Sequence, residues 1–397
     1  MIPMKRLPKV VVAAMLACVA IVGLSQDGTA ATQSEGPTPD VLVASHGVQL
    51  IAEMGRTCTK VYLSTDFVHF HEITPVVPTK HGHAPTCGWF DASFVSPSDG
   101  WIVGINGGGS PSVLEHTTDG GITWTRQRPQ PAEGSESELI GFTNPQDGWN
   151  QVTAMGADIN VLQHTTDGGA NWTTVRRSQT GRGCWWLGAV FSTPTIGFES
   201  RGATAAWRTE DGGASWSVLR LPRPRSVPAS DGAIFDTPVF HGLQGTLPVL
   251  YLEPKQVLIA FDITVNGGKS WRLAAVARVR TRVALTSRQP VGVCTAGVPS
   301  TSAPLPLVSA STPNYWWVLS PGPANTSLVM TVALGPSGAT PWGHASRGLP
   351  STAQALHLTL TAADPRHAYV GVGNGRQVVY QTTDSGARWT PLPHDIP

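Results

Sequence analysis

The octapeptide Thr-Thr-Asp-Gly-Gly-Ile-Thr-Trp at Thr117–Trp124 decides the fold of this chain, because the sequence contains five copies of it. All copies share a Thr, an Asp or Asn two residues later, a Gly and a final Trp. These positions are Thr117, Asp119, Gly121 and Trp124; Thr165, Asp167, Gly169 and Trp172; Thr209, Asp211, Gly213 and Trp216; Thr264, Asn266, Gly268 and Trp271; and Thr382, Asp384, Gly386 and Trp389. Internal repeats at such intervals are typical of solenoids, propellers and arrays.

This octapeptide, here called the box, has residue types that predict a tight turn between two strands. Apolar runs such as Val113-Leu114 and Val161-Leu162 precede the box, and a strand-like run usually follows its Trp. Asp or Asn accepts backbone N–H bonds in turns, and Gly adopts positive φ without steric cost. The Trp is expected to pack between neighbouring sheets with its N–H on a carbonyl oxygen. A structural role is favoured over a catalytic one, since no reaction needs the same acid in every repeat.

A second signal, Phe-x-x-Pro-x-x-Gly followed by an aromatic residue, precedes three of the boxes, at Phe94–Trp101, Phe142–Trp149 and Phe191–Phe198. Spacings of 48, 44 and 55 residues separate the first four box tryptophans, which matches propeller blades. We predict an all-β fold, a seven-bladed β-propeller of four-stranded antiparallel blades. The sixth unit lacks a box, with middle strands expected at Ser309–Ser320 and a decayed box at Gly335–Trp342.

The N-terminus has the pattern of an export signal. Lys5, Arg6 and Lys9 precede the apolar run Val10–Leu24, which is short for a membrane span. We expect residues 1–31 to be a signal peptide or a membrane or lipid anchor, residues 32–40 a flexible tether and residues 41–397 the propeller. The propeller is then extracytoplasmic, either secreted or anchored at the outer face of the cell membrane, and meets the membrane only through the N-terminal segment.

Charge and cysteine content narrow the classes of ligand. The chain has 27 Lys and Arg against 26 Asp and Glu, so it lacks the basic excess of a nucleic-acid-binding protein. In an exported chain Cys58, Cys87, Cys184 and Cys294 are disulfide candidates, with free buried thiols as the alternative. Their spacing matches no zinc motif, and no metal or other cofactor is expected.

Several residues outside the boxes are candidates for binding. Arginines at alternate positions of a predicted strand are expected to lie on one face, where they can hold an acidic partner or an anionic glycan. Exposed aromatic rings can stack on sugars or peptides. The alternatives are a solvated strand face and packing between blades. The candidates are Arg278, Arg280 and Arg282; Arg220, Arg223 and Arg225; Arg182, Trp185 and Trp186; and Trp316 and Trp317.

The octapeptide resembles the Asp-box, or BNR repeat, of the propeller superfamily that includes sialidases, sortilin-type receptors and xyloglucanases. Phe94–Gly104 followed by His116–Trp124 is similar to the photosystem II stability/assembly factor type of propeller. The resemblance covers residues 41–395. It implies the propeller fold, and the residues that carry it are structural ones.

Two functions are consistent with the sequence. The first is a monomeric, non-catalytic scaffold that binds protein partners or surface glycans. The alternative is a glycoside hydrolase or sialidase-like enzyme with its site at the pore mouth. Similar sialidases need an Arg-Ile-Pro motif, which this chain lacks, and a Tyr/Glu pair, for which Tyr251 and Glu253 are the candidates. Hydrolysis otherwise needs two facing carboxylates. The non-box acids considered are Glu53, Glu72, Asp91, Glu138, Glu199 and Asp236.

Overall fold

The structure is a computed structural model, and it describes most of the chain after residue 37. The described residues are 38–45, 48–54, 59–79, 82–106, 112–127, 135–154, 159–179, 189–200, 205–228, 233–253, 256–280, 306–321, 327–335, 338–345, 347–350, 357–373 and 377–392. Every regular element in these ranges is a β-strand. These ranges contain no helix with the length and apolar character of a membrane span. The expected signal or anchor, residues 1–31, lies outside the described residues.

The strands form seven sheets, here called blades 1 to 7 in chain order. Blades 1 to 3 contain β1 (Thr38–Ser45), β2 (Val48–Met54), β3 (Thr59–Ser64) and β4 (His71–Glu72); β5 (Val76–Thr79), β6 (Gly82–Phe94), β7 (Gly100–Asn106), β8 (Ser112–Thr117) and β9 (Thr125–Gln127); and β10 (Ser135–Phe142), β11 (Gly148–Ala154), β12 (Ile159–Thr165) and β13 (Thr173–Gln179).

Blades 4 to 7 continue in the same way. They contain β14 (Ala189–Phe191), β15 (Gly197–Ser200), β16 (Ala206–Thr209) and β17 (Ser217–Val218); β18 (Ala233–Phe235), β19 (Val239–His241), β20 (Gln244–Glu253), β21 (Gln256–Thr264) and β22 (Arg272–Arg280); β23 (Leu307–Thr312), β24 (Tyr315–Pro321), β25 (Ser327–Gly335) and β26 (Gly338–Ala345); and β27 (His357–Ala362), β28 (Ala368–Gly373), β29 (Gln377–Thr382) and β30 (Thr390–Pro391).

The predicted seven-bladed propeller is confirmed, with antiparallel neighbours that follow one another in sequence. Two blades have a fifth strand. In blade 2, β5 pairs with the first half of β6. In blade 5, β18 and β19 pair with successive parts of the long β20, on either side of a break at Asp236. The first strand, β1, begins at Thr38, three residues before the expected boundary, because Thr38 already pairs with Met54 of β2.

Neighbouring blades pack face to face, so their central strands are buried on both sides. In β21 the six residues from Val257 to Asp262 are all buried, as expected for a strand covered on both faces. The ring closes between blades 7 and 1, where Tyr369 and Val379 pack against Ile51 and Tyr62. Side-chain packing makes this closure, since each described blade consists of strands from one continuous part of the chain.

Blade 6 forms its sheet without a box. The stretch Ser309–Ser320, expected to supply the middle strands, instead covers most of the first strand, β23, and of the second strand, β24. The stretch Gly335–Trp342, expected to be a decayed box, runs from the last residue of the third strand, β25, into the fourth strand, β26. It forms part of the β25–β26 pairing, in which Gly335 is opposite Gly338.

Candidate functional site

Each box is a turn closed by its own side chains. The hydroxyl of Thr117 donates to Asp119 Oδ1 (2.8 Å) and accepts from the backbone N–H of Gly121 (2.8 Å). Asp119 Oδ1 also accepts from the backbone N–H of Thr123 (2.8 Å). The same three bonds, at 2.7 to 3.0 Å, occur in the boxes that begin at Thr165, Thr209, Thr264 and Thr382. Hydrogen bonds from Thr123 lower the pKa of Asp119, as expected for a carboxylate that serves as an acceptor.

The box tryptophans bond to backbone carbonyls, as their residue type predicts. The indole N–H of Trp172 donates to the carbonyl of Gly169 in its own box (2.8 Å). Three others repeat this contact: Trp216 to Gly213 (2.8 Å), Trp271 to Gly268 (3.0 Å) and Trp389 to Gly386 (3.2 Å). Trp124 instead donates to the carbonyl of Ile73 in blade 1 (2.9 Å).

The second sequence signal joins blade 2 to blade 3 and blade 3 to blade 4. The indole N–H of Trp101 in blade 2 donates to the carbonyl of Gly168 in the box of blade 3 (3.0 Å). Trp149 of blade 3 donates in the same way to Gly212 in blade 4 (3.0 Å). The Gly before each aromatic residue is needed because a Cβ on Gly148 would lie 2.3 Å from the ring of Phe142. The two signals therefore form the latch between successive blades.

Two histidines that the sequence analysis did not single out complete this latch. His116 stacks on Trp101 (ring centroids 4.3 Å apart) and bonds to Asp99 (2.9 Å). His164 stacks on Trp149 (4.4 Å), and burial lowers its pKa. Both residues directly precede the Thr of a box, and that shared position was the available signal.

Several predicted site residues lie outside the described part of the chain. They are Arg182, Trp185, Trp186, Arg282, Cys58, Cys184 and Cys294; Cys87 has its backbone in β6, but its side chain is also outside the described part. Among the described residues, no group of three or more His, Cys, Asp or Glu is placed to hold a metal ion.

Trp316 and Trp317 lie in the core. Their relative exposures are 1% and 0%, and their indole N–H groups donate to the carbonyls of Pro313 and Asp364. This burial corrects the expectation of an exposed stacking surface at these two rings. Adjacent residues of a strand point to opposite faces, so Trp316 packs toward blade 5 and Trp317 toward blade 7.

The described non-box acids make structural contacts. Glu72 pairs with Lys60 (2.9 Å), and the buried Glu199 pairs with Arg176 (2.8 Å). Asp91 Oδ2 accepts from the backbone N–H of Ile140 in the next blade (2.8 Å). Burial raises the pKa of Asp91 to about 7. The remaining acids are Asp236, whose pKa burial raises to about 6, and Glu53 and Glu138, whose side chains are outside the described part.

Parts of the two predicted arginine rows lie on one face of blade 5, toward blade 4. The loop at 219–228 follows the short edge strand β17 and packs on a buried cluster that includes Val227 and Tyr251. Leu273 and Val276 of β22 pack on the same cluster. The loop and β22 therefore border the same cluster. Arg223 lies over Tyr251, Tyr251 is opposite Leu258, and Leu258 is opposite Arg278, so Arg223, Arg278 and Arg280 lie on one face of blade 5. These three exposed residues are here called the arginine surface, and Arg220 and Arg225 are exposed elsewhere on the loop.

Tyr251 anchors this surface. The guanidinium of Arg223 lies 4.9 Å from the centroid of the Tyr251 ring, a cation–π distance, and its Nη1 donates to the carbonyl of Pro228 (2.7 Å). Tyr251 and Glu253 share a strand face, as predicted. Tyr251 is only 3% exposed, however, so its hydroxyl lies within the blade 4–blade 5 packing.

The fold and its latches define this chain as an Asp-box β-propeller. A family model described as photosynthesis system II assembly factor YCF48 matches residues 86–220. These residues span blades 2 to 4, where both sequence signals occur together, and the predicted resemblance to this family is confirmed there.

Several solved structures match this chain at low identity. They include YCF48 bound to D1 peptide (15% identity, 77% of this chain and 82% of that chain, TM-score 0.43) and YCF48 from Cyanidioschyzon merolae (19%, 77% and 85%, TM-score 0.46). A prolyl endopeptidase structure matches with 12% identity and TM-score 0.55, over 90% of this chain and 50% of that chain. The present chain thus spans half the length of that endopeptidase. A search of curated proteins gave no match.

Proposed function

We propose that this chain is a non-catalytic, extracytoplasmic β-propeller that acts as a binding scaffold for a protein partner. The observation that carries the proposal is the arginine surface, a concentration of exposed guanidinium groups on a chain whose overall charge is nearly balanced. Arginine binds carboxylates through two parallel hydrogen bonds, so such a surface favours an acidic partner. The match of blades 2 to 4 to an assembly-factor family supports a role in binding proteins.

The box residues leave the binding role to other parts of the surface. Their side chains are engaged in turn bonds, and the aromatic residues of the second signal are buried between blades. A rigid ring of this kind holds its connecting loops in fixed positions, which suits a binding scaffold. The YCF48 of one solved structure is described as bound to a D1 peptide. We propose that this chain also binds a peptide, and we assign no particular peptide to it.

The extracytoplasmic location is part of the proposal. It rests on Lys5, Arg6 and Lys9 ahead of the apolar run Val10–Leu24, which is the pattern of an export signal. Fractionation of cells that express the full chain, with protease added to intact cells or spheroplasts, tests it directly. Protection of the propeller from the protease until the membrane is lysed would contradict this location.

Affinity capture tests the binding role. The full-length protein is incubated with the envelope fraction of its own cells, cross-linked and analysed by mass spectrometry, while a glycan array is probed in parallel. We expect one protein to be cross-linked to blades 4 and 5 and to be displaced by excess unlabelled chain. Binding or turnover of glycans without a protein partner would overturn the proposal, and heat-unfolded chain is the control for non-specific adhesion.

A further inference from the structure

The register of blade 5 indicates what kind of segment the arginine surface receives. We infer that β22 pairs with an extended peptide segment that carries two carboxylates separated by one residue, held by Arg278 and Arg280. The inference rests on the proposed protein-binding function and adds the conformation and charge pattern of the ligand.

Among the described strands, the outer strand β22 is paired along one edge only, and its second edge is available for such pairing. It spans nine residues and is the last strand in the order β18-β20-β21-β22. In the part of the chain that the structure describes, β21 is its one hydrogen-bonded partner. An unpaired edge presents a row of N–H and C=O groups, which an extended peptide can use to add a strand.

The two arginines share one face of that edge. Arg278 is opposite Leu258 and Arg280 is opposite Gln256, so their side chains point to the same side of the sheet, about 7 Å apart along the strand. A peptide strand paired with β22 has the same period, and its alternate side chains lie beside these two positions. Carboxylates two residues apart therefore match Arg278 and Arg280.

The charges around the two arginines favour an acidic ligand. Both are exposed, and neither makes an ion pair or side-chain hydrogen bond with another residue in the described ranges. Among the described residues, two acids lie on this face: Glu253, whose carboxylate accepts a hydrogen bond from Gln256, and the fully buried Asp262, which is opposite Leu247 and Leu273. Across the same face, Arg223 over Tyr251 adds a third guanidinium group.

This surface lies apart from the region shared with the assembly-factor family. The family match ends at residue 220, whereas Arg223, Arg278 and Arg280 follow it in the sequence. The blade latches lie mainly inside the matched region. The ligand pattern is accordingly proposed as a property of this chain.

Fluorescence polarisation with synthetic peptides tests the inference on the full chain. The probe is a labelled peptide of about ten residues, the length of a strand, with alternating Thr and Val and two aspartates separated by one residue. The comparison peptides have the two aspartates adjacent, or have the spaced aspartates with alternate backbone amides methylated. We expect the spaced peptide to bind about tenfold more tightly than either, because only it offers both the charge pattern and the backbone pairing.

Substitutions of the two arginines then test whether they form the binding site. Arg278→Gln and Arg280→Gln are each expected to weaken binding of the spaced peptide about tenfold, with a larger loss in the double variant. Arg272→Gln, at the opposite end of the same strand, is the matched control and should leave the affinity unchanged. Thermal unfolding of all three variants checks that the fold is retained.

The outcomes separate this inference from the proposed function. Equal affinity for the methylated peptide, or for a heparin oligosaccharide that has no peptide backbone, would overturn strand pairing. If a captured protein partner bound the double variant as well as the unchanged chain, the inference would fail while the scaffold function stood. If no protein were captured and no peptide bound, both would fail.

Discussion

Blades 3 and 6 solve the same packing problem with different turns. Blade 3 has a box, and its Gly168 carbonyl accepts the indole N–H of Trp101 from blade 2. Blade 6 has no box, yet its Pro313 carbonyl accepts the hydroxyl of Thr246 from blade 5 (2.7 Å). Trp101 and Thr246 are in equivalent positions, because each follows the glycine that is paired with the first Thr of its own blade's box. The comparison shows that the contact between two neighbouring blades, here called the seam, requires a turn carbonyl opposite a hydrogen-bond donor. The box is one way to provide that carbonyl.

The largest effect on stability is expected from removing Trp149, whose indole joins blade 3 to blade 4. Trp149 is buried, stacks between His164 and Phe191 and donates to Gly212. Trp149→Ala should lower the free energy of unfolding by about 3–5 kcal/mol, because it removes the ring and leaves a cavity. Urea unfolding followed by circular dichroism measures this.

Trp149→Phe is the matched control, since it keeps a stacked ring and removes the N–H donor. We expect it to lower the free energy of unfolding by about 1–2 kcal/mol. Trp317→Phe should do the same in the boxless blade, where the indole N–H donates to Asp364. If Phe lowered stability at the contact between blades 3 and 4 but not at the contact between blades 6 and 7, the two latches would not be equivalent.

The second prediction compares two acids at the same repeat position. Glu115 of blade 2 and Asp262 of blade 5 each lie two residues before the Thr of a box. Glu115 pairs with Arg126 (3.0 Å), whereas the fully buried Asp262 has no hydrogen-bond partner on either carboxylate oxygen within the described structure. Burial raises the pKa of Asp262 to about 7, so this carboxyl group keeps its proton in the folded chain well above its usual pKa.

The sign of the resulting pH dependence follows from linkage. The folded-state pKa lies above the unfolded value of about 3.9, so the contribution of Asp262 is complete below pH about 4 and is lost as pH rises toward 7 and beyond. Asp262→Asn should remove this dependence and raise the free energy of unfolding above pH 7 by up to about 4 kcal/mol. Urea titrations at several pH values measure it, with Asp91 and Asp236 contributing a remaining slope of the same sign. An unchanged pH profile would show that Asp262 is ionised inside the fold.

A smaller effect is expected from opening a single box. Asp167→Ala removes the acceptor for Thr165 and for the backbone of Asn171, and should lower the free energy of unfolding by about 1–2 kcal/mol. Binding of a captured partner at a temperature below the unfolding transition should not change. If the variant lost binding while its unfolding transition did not change, the box would be shown to take part in binding.

The smallest effect on stability is expected at the seam between blade 5 and the boxless blade 6. Thr246→Val keeps the shape of the side chain and removes its donor to Pro313. We expect the free energy of unfolding to fall by about 1 kcal/mol, because Pro313 still accepts from Trp316 (3.0 Å). Thermal unfolding measures the change, and Thr312→Val, an exposed threonine beside the same turn, is the control. A loss as large as that of Trp149→Ala would show that this one bond holds the seam.

Much of the fold could be predicted because its signals are local. The box specifies a turn through residues no more than seven positions apart, and its copies mark where blades begin and end. Blade 6 was harder, since its pairing depends on contacts with neighbours and not on a motif. The burial of Trp316 and Trp317 followed from those neighbours and was not visible in their residue type.

The sequence by itself determined the number of blades, the turn that closes most of them and the presence of two arginine stretches. Only the tertiary structure decided that Arg223 of the first stretch lies on the same face of blade 5 as Arg278 and Arg280 of the second. It also decided that Asp262 is buried without a partner while Glu115 meets Arg126. The physical reason is that hydrogen bonds within a turn are set by adjacent residues, whereas burial and charge proximity depend on which strands the closed ring brings together.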